Sequence, residues 1–351
     1  MFSNDFKLKI IIIFLVNYFF NKYSLSRKRI GIIGLDHSFN VGNNLLKYAI
    51  FIKISELGHF PYIIGRKFKN NSISFIKNNV NMRLINNFSE IKENDYDILM
   101  VNSDQTWRKF DDYFYDIAFL KFAEKFQIPK FVYGASLGFE KWIFMKKDEE
   151  IAKYLLQNFT GISVREKSAI LLIKKYLGFN AQFVLDPTFL IDKKYYLNLI
   201  KEFKSEIANQ INNEEFIFVY FIKKSIYFAS YLNYIKNELK KKIFYLKMNN
   251  KNQVKEFIFG ISHCKGVITD SFHGTIFSII FKKPFITFEN RLKAESRFNS
   301  LNEIFNIKNR IFALNTTPPI NLLNLPLSIN KRNLISLKKQ SIKYLKKNLN
   351  Y

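Results

Sequence analysis

Residues 30–57 read IGIIGLDHSFNVGNNLLKYAIFIKISEL, and this stretch decides the predicted fold. A short apolar run stops at the polar residues Asp36, His37 and Ser38, and apolar residues with helical spacing follow over residues 45–57. This pattern predicts a buried strand, a loop and a helix. Because fully buried strands that alternate with helices are typical of parallel sheets, the stretch favours an α/β fold.

The same unit recurs along the chain. Further apolar runs typical of buried strands lie at residues 62–64, 97–101, 130–133 and 161–164. A Lys- and Tyr-rich stretch follows residues 186–188, and a second series of strand candidates then begins at residues 215–221, 243–246, 266–269 and 284–287, with helical stretches at 227–240 and 254–264. We therefore predict two Rossmann-like domains that face each other across a cleft, over residues 27–200 and 201–325.

Composition bounds the classes of function. A chain of 351 residues is long enough for two domains, and 48% apolar residues exclude a disordered protein despite a net charge of +26. The excess of 55 Lys and Arg over 29 Asp and Glu favours an anionic partner. Lys is scattered among Asn and Ile, not gathered in a nucleic-acid module, so we expect no nucleic-acid partner. The single cysteine, Cys264, excludes a disulfide framework and a CxxC metal site, which fits a reducing cytoplasm.

The two chain ends suggest contact with a membrane. Residues 10–20 (IIIIFLVNYFF) follow Lys7 and Lys9, and as a helix they would span about 17 Å against a hydrocarbon core of about 30 Å. We expect residues 1–26 to form an uncleaved interfacial anchor that holds a cytoplasmic protein on the anionic inner face of the cell membrane. A signal peptide and an ordinary buried helix are the alternatives. The basic residues 326–351 are predicted to form an amphipathic helix that caps the fold or touches lipid.

Polar residues directly after strands are the first candidates for a site, because ligands of open parallel sheets bind beyond the carboxyl ends of the strands. Five segments have this position and are expected to face one cleft: Asn40 to Gly42, residues 102–107, residues 135–138, Arg165 with Glu166, and residues 270–275.

The segment DSFHGT (residues 270–275) has the features of an anion-binding site, since it joins a predicted strand to the N-terminus of a predicted helix. Gly274 allows close approach of a ligand, and Ser271 or Thr275 can cap the helix or donate a hydrogen bond. His273 stands where a proton can be exchanged near neutrality. The alternative is that Ser271 only caps the helix and His273 only hydrogen-bonds within the core.

The other segments also allow two interpretations each. Arg165 can grip a carboxylate or phosphate with two parallel hydrogen bonds, or it can form a salt bridge with Glu166 or another acid. Asp104, Gln105 and Trp107 can contact a sugar; alternatively Asp104 caps the next helix and Trp107 packs beneath it. We expect His59 and His263 to be structural, and His37 is left open.

Six segments in this order resemble the polysaccharide pyruvyl transferase family. They are NVGNNLLKYA (40–49), SDQTW (103–107), YGAS (133–136), SVRE (163–166), LDPT (185–188) and TDSFHGTIFS (269–278), continued by KPFI (283–286) and SRF (296–298). The resemblance spans about residues 30–310. It implies a fold similar to that of B-type glycosyltransferases, phosphoenolpyruvate as the donor and phosphate as the by-product, with no metal or other cofactor. The acceptor it implies is a sugar diol of a cell-surface glycan or a lipid-linked oligosaccharide.

The resemblance also assigns residues. It implies that His273 is the catalytic acid and that Arg165 holds the anionic groups of the donor. Donor-binding and acceptor-binding residues are expected, respectively, at Ser271, Phe272, Gly274, Thr275 and Arg297, and at Asn40, Gly42, Asp104, Gln105 and Ser136.

The chain departs from the family pattern at three places. Asn102 stands where a glycine is common, and Gly134 replaces an alanine. Ser271 occupies a position where some relatives carry a second arginine, so the missing donor contact is expected from Arg297 or a lysine. Two other functions compete: a nucleotide-sugar glycosyltransferase, which the SDQTW and LDPT segments disfavour, and a non-catalytic subunit of a polysaccharide assembly complex. The presence of both Arg165 and His273 disfavours the second.

Overall fold

The chain folds around two parallel β-sheets with helices, as the strand and helix pattern predicts. The structure is a computed structural model that describes residues 27–35, 40–67, 74–109, 112–211, 214–222, 226–247, 251–289 and 291–350. The predicted membrane anchor over residues 1–26 and His37 lie outside the described residues.

The first sheet contains seven described strands in the spatial order β3-β2-β1-β4-β5-β6-β7. Its strands are β1 Arg29–Ile33, β2 Phe60–Arg66, β3 Met82–Ile85, β4 Ile98–Val101, β5 Lys130–Ala135, β6 Phe159–Val164 and β7 Gln182–Phe183. The helices between and after them are α1 Val41–Glu56, α2 Ser74–Asn79, α3 Phe114–Phe119, α4 Lys146–Leu156, α5 Lys167–Leu177, α6 Lys193–Asn198 and α7 Glu206–Ile211. The strand order reverses between β1 and β4.

The second sheet contains five described strands in the order β12-β11-β10-β8-β9. Its strands are β8 Phe216–Tyr220, β9 Lys242–Tyr245, β10 Gly266–Thr269, β11 Phe285–Glu289 and β12 Ile311–Ala313. The helices are α8 Ile226–Leu239, α9 Gln253–His263, α10 Phe272–Ile280, α11 Arg291–Phe305 and α12 Lys331–Leu349. Here the order reverses between β8 and β10, so each sheet has one switch point at which ligands of such folds bind.

Helix α1 lies between the two sheets. Asn40 caps it by accepting a hydrogen bond from the backbone N–H of Asn43 at 3.0 Å. Its apolar residues are buried along almost its full length, because α1 covers the first sheet on one side and contacts α9 and α10 of the second sheet on the other. The N-terminus of α1 is thereby fixed next to the N-terminus of α10.

The basic C-terminal helix α12 packs on the first sheet. The hydroxyl of Tyr344 donates to the backbone oxygen of Val132 at 2.8 Å, and Leu345 and Leu349 are fully buried. Of the two predicted roles for this segment, capping the fold is the one these contacts show. None of the helices in the described ranges is long and apolar enough to cross a membrane.

Candidate active site

The switch points of the two sheets lie next to each other, and the place where they meet is called the cleft below. The N-terminus of α1 follows β1, and the N-terminus of α10 follows β10, and these two helices are in contact. The segments after β4, β6 and β7 bring Asp104, Arg165 and Asp186 to the same place, where they form ion pairs. The prediction that polar segments after separate strands meet in one cleft therefore agrees with the contacts.

The turn before α10 is held by its own side chains. The hydroxyl oxygen of Ser271 accepts a hydrogen bond from the N–H of Gly274 at 3.2 Å, and the hydroxyl groups of Thr275 and Thr287 lie 2.7 Å apart. A Cβ atom added to Gly274 would overlap the side chain of Thr269. Ser271, Gly274 and Thr275 thus shape the turn and pack it onto β10 and β11. Since the N–H of Gly274 is bonded to Ser271, the backbone N–H groups of Phe272 and His273, and not these hydroxyls, are the part of the first turn left for a ligand.

His273 is 6% exposed and lies between elements of both sheets. Its Nε2 lies 3.5 Å from Oδ2 of Asp186, an ion-pair distance, and Nε2 has no hydrogen-bond partner among the described residues. The other side of the ring rests on the backbone of Gly42, where an added Cβ atom would overlap Nδ1. Gly42, predicted to bind the acceptor, therefore provides the space that the His273 ring occupies.

Arg165 forms salt bridges, as one of the two interpretations predicted, although its main partners are not Glu166. Nη1 donates to Asp186 at 2.6 Å and Nη2 donates to Asp104 at 3.0 Å, whereas Nε lies 4.0 Å from Glu166. Burial raises the pKa of Asp104, but the charges of Arg165 and His273 outweigh burial and lower it to about 2. The pKa of Asp186 is likewise lowered, against the effect of burial, by His273 and Arg165. Both carboxylates are therefore ionised at neutral pH.

Arg297 and Arg165 lie against the same aromatic ring. The Cζ atoms of Arg165 and Arg297 are 4.8 Å and 5.2 Å from the ring centroid of Phe272. Unlike Arg165, Arg297 has no ion pair within 4.0 Å among the described residues, and its Nε is buried without a hydrogen-bond partner. Burial and the neighbouring charge of Arg165 lower the pKa of Arg297 to about 10. Arg297 therefore has no direct ion pair in the described part of the chain, although the carboxylates of Asp104 and Glu166 act on its charge from further away.

The residues predicted to bind the acceptor are half-buried or buried. Asn40 is half-buried at the start of α1, and the buried Nε2 of Gln105 has no partner in the described part of the chain. Asp104 has a left-handed φ of 112°, which is rare outside glycine. Ser136 is fully buried and its hydroxyl donates to Glu166, so in this structure it supports Glu166 beneath the cleft.

The side chains of Trp107, His59 and His263 are not part of the cleft. Trp107 is fully buried and its Nε1 donates to the backbone oxygen of Ala118 at 3.1 Å, which is the packing alternative to a sugar contact. His59 is buried against the start of β1, and His263 is exposed and stacks on Phe259.

Unpaired polar atoms concentrate at the cleft. Of nine buried side-chain nitrogen and oxygen atoms without partners among the described residues, six belong to it: Asn43 Oδ1, Asn102 Nδ2, Gln105 Nε2, Arg165 Nε, His273 Nε2 and Arg297 Nε. Buried polar atoms are normally paired, so such a group marks a place for a ligand. Four of the six are N–H donors of amide or guanidinium groups, which suits an anionic, oxygen-rich ligand.

The sequence assigns no role to two members of this cleft, Asp186 and Asn43, and indicates Glu166 only as one alternative partner of Arg165. Asp186 is part of LDPT, but that motif does not indicate its partners. Burial raises the pKa of Glu166, whose carboxylate accepts from Ser136 and from the N–H of Leu137. Asn43 donates through Nδ2 to Asp104 at 3.2 Å. No group of three His, Cys, Asp or Glu side chains in the described ranges is arranged to hold a metal ion.

Solved structures share the fold at low identity. UDP-GlcNAc 2-epimerase from Methanocaldococcus jannaschii aligns with a TM-score of 0.57 at 13% identity, over 91% of this chain and 98% of that one. The epimerase from Neisseria meningitidis bound to UDP-GlcNAc gives 0.53 at 10% identity, over 92% and 93%. An Arabidopsis thaliana protein complexed with UDP-L-rhamnose gives 0.51 at 9% identity, over 93% and 98%. These likenesses confirm the predicted B-type glycosyltransferase fold and nothing finer.

The family is established by sequence. A search of curated proteins finds no match. The sequence model of the family described as polysaccharide pyruvyl transferase matches residues 40–291, which is well over half of the chain and includes α1, Arg165, Asp186 and the SFHGT turn. The chain therefore belongs to the polysaccharide pyruvyl transferase family.

Proposed function

We propose that this protein transfers the pyruvyl group of phosphoenolpyruvate to two hydroxyl groups of a sugar in a cell-surface polysaccharide, as a ketal, and releases phosphate. The observation that carries the proposal is the guanidinium of Arg297, which lies beside Arg165 on the ring of Phe272, in the first turn of α10, and whose buried Nε has no hydrogen-bond partner among the described residues. A donor with a carboxylate and a phosphate would supply the anion that this arrangement lacks.

The two arginines take different parts in binding the donor. Arg297 would hold an anionic group directly, together with the backbone N–H groups at the start of α10. Both terminal nitrogens of Arg165 already donate to carboxylates, which leaves Nε and the second hydrogen of each terminal nitrogen for the donor. Arg165 thus contributes mainly positive charge and the placement of Asp104 and Asp186.

His273 moves the proton. It would protonate the methylene carbon of the enol, which makes the central carbon of the donor electrophilic. A sugar hydroxyl then forms a C–O bond to that carbon and gives up its proton to the imidazole. A second hydroxyl forms the other C–O bond while the bond to phosphate breaks, and phosphate leaves with the electron pair and takes up the second hydroxyl proton. Ionised Asp186 gives the charged ring an anionic partner at 3.5 Å.

The acceptor would lie on the side of Asn43 and Gln105. A carboxylate accepts hydrogen bonds and does not donate them, so the bond from Asn43 Nδ2 to Asp104 fixes the orientation of the amide. Oδ1 of Asn43 is then a buried acceptor without a donor, and Nε2 of Gln105 is a donor without an acceptor. A sugar hydroxyl, which both donates and accepts, fits such a pair.

Phosphate release from phosphoenolpyruvate, measured with a panel of glycan acceptors, tests the proposal. We expect acceptor-dependent release that falls by at least about 10²-fold in His273→Ala and is retained in His263→Ala, which removes an exposed histidine. Binding of a UDP-sugar in place of phosphoenolpyruvate would favour a nucleotide-sugar glycosyltransferase instead. Binding of neither donor would favour a non-catalytic subunit of a polysaccharide assembly complex.

Membrane attachment is a separate part of the proposal. Residues 1–26 would hold the enzyme on the anionic inner face of the membrane, close to a lipid-linked oligosaccharide acceptor. Deleting residues 1–26 should abolish flotation with vesicles that contain anionic lipid. Unchanged flotation of the shortened protein would refute the anchor.

A further inference from the structure

We infer that Asp186 and Gly42, on the first-sheet side of the cleft, are positioning residues that clamp the His273 ring of the second-sheet side, so that the proton donor is assembled across the cleft. This inference rests on the proposed function for its kinetic consequences. The contacts that form the clamp are tested separately, by the chemical reactivity of His273.

Asp186 is held rigidly on the first-sheet side. Its Oδ1 accepts from the N–H of Thr188 at 3.0 Å and from the Thr188 hydroxyl at 2.7 Å. Its Oδ2 accepts from Arg165 at 2.6 Å and lies 3.5 Å from Nε2 of His273. With both oxygens engaged and the side chain 3% exposed, the carboxylate has no other orientation available. It therefore presents one fixed negative charge to one edge of the imidazole.

Gly42 contacts the His273 ring on its other side. It occupies the first turn of α1, a 16-residue helix that is buried against both sheets. The His273 ring approaches the backbone of Gly42 so closely that a Cβ atom at this position would overlap Nδ1, Cγ and Cβ of His273. Any residue other than glycine would displace the ring from Asp186.

The charges near the ring come from both sides of the cleft. The first-sheet side supplies Asp186, Asp104 and Arg165, and the second-sheet side supplies Arg297. Because both parts of the clamp belong to one side and the ring to the other, a shift of the two sheets relative to each other would move the proton donor. A displacement of about 1 Å at such a group costs on the order of 10²-fold in rate.

The test uses Asp186→Asn, Gly42→Ala and a matched control, Asp104→Asn. Asparagine at position 104 tolerates the left-handed φ, removes the other charge partner of Arg165 and leaves the contact of Asp186 with His273. Acylation of His273 by diethyl pyrocarbonate is measured by peptide mass spectrometry, with the exposed His263 of the same molecule as the reference. Turnover with phosphoenolpyruvate is measured in parallel.

We expect His273 to be protected in the wild type and in Asp104→Asn, and to approach the reactivity of His263 in Asp186→Asn and Gly42→Ala. The two clamp variants should lose on the order of 10²-fold in kcat with a much smaller change in the KM for phosphoenolpyruvate. A merely structural role would move stability and KM together and would not expose His273 selectively.

Two results would overturn the clamp: His273 as reactive as His263 in the wild type, or folded Asp186→Asn and Gly42→Ala that keep both kcat and the protection of His273. If Asp186→Asn does not fold, the kcat and the His273 protection of Gly42→Ala, which changes no charge, decide whether the clamp exists. A wild type that releases no phosphate from phosphoenolpyruvate refutes the proposed function, whereas the acylation comparison still decides the clamp.

Discussion

Replacing Arg165 by methionine is the sharpest test of the charge network. Methionine retains an unbranched apolar side chain but removes the guanidinium, whose side chain is 2% exposed and lies between Asp104 and Asp186. Both carboxylates would then be buried without their cation. The Asp104 pKa of about 2, against an ordinary 3.8, corresponds to about 2 kcal/mol of stabilisation of that carboxylate alone.

Removing one partner of a buried ion pair costs about 3–5 kcal/mol, so we expect a loss of this size in the free energy of unfolding at pH 7. For a protein with domains of this size, the melting temperature should fall by about 6–20 °C. Urea unfolding followed by circular dichroism measures the free energy directly. The control is Lys167→Met, because Lys167 pairs with Glu303 at an exposed site and its loss should cost less than about 1 kcal/mol.

The effect of pH on the stability of the two proteins can be predicted in sign. In the wild type the folded-state pKa values of Asp104 and Asp186 are lowered, so their stabilisation is present above the unfolded pKa of about 3.9 and is lost as the pH falls towards 2. In Arg165→Met the same carboxylates, buried without a cation, take up protons at higher pH. The stability difference between the two proteins should therefore narrow from pH 7 to pH 4. A variant within 1 kcal/mol of the Lys167→Met control at pH 7, or a difference that does not depend on pH, would refute the reasoning.

Three further predictions follow from single contacts. Arg297→Met should raise the melting temperature of the ligand-free protein, because it removes a charged group whose buried Nε has no hydrogen-bond partner among the described residues, and should abolish the rise that phosphoenolpyruvate gives the wild type in scanning fluorimetry. Gly274→Ala should lose about 1–3 kcal/mol of stability, measured by urea unfolding, because the new Cβ overlaps Thr269. Trp107→Phe should also lose about 1–3 kcal/mol, because the backbone oxygen of Ala118 loses its donor; a change in acceptor KM at unchanged stability would instead support a sugar contact.

The fold could be predicted from the sequence where strands are fully buried. The apolar runs at residues 98–101 and 216–220 have buried neighbours on every side, so their pattern is continuous and each was predicted as a strand. Three strands were missed: β3, β7 and β12. They lie at the ends of their sheets and contain only two to four residues, and β3 is interrupted by Arg83. A short edge strand pairs on one side and needs no continuous apolar run.

The site could be predicted only as a set of segments. The rule that ligands bind beyond the carboxyl ends of parallel strands located the cleft and its loops. It could not pair Arg165 with Asp186 and Asp104, which are 21 and 61 residues away along the chain. The acceptor role of Gly42 stays a prediction, but its contact with His273 could not be predicted, because the approach of a side chain from the second sheet produces no pattern in the local sequence.

The two arginines at Phe272 show why an arginine in a motif does not by itself identify the group that binds the ligand. Asp104 and Asp186 both form ion pairs with Arg165, so in the ligand-free cleft its charge already helps to hold the fold. Glu166, whose pKa is raised by burial, accepts from Ser136 and Leu137 and lies 4.0 Å from Arg165, so it leaves Arg297 without an ion pair in the described part of the protein. The cleft arginine without a direct ion pair is thus Arg297, which the sequence indicates only as a substitute for the arginine missing at Ser271. The stability of the protein should therefore depend on Arg165, and its affinity for the donor should depend on Arg297. If both arginines held the donor, substituting either one would instead lower the affinity for the donor.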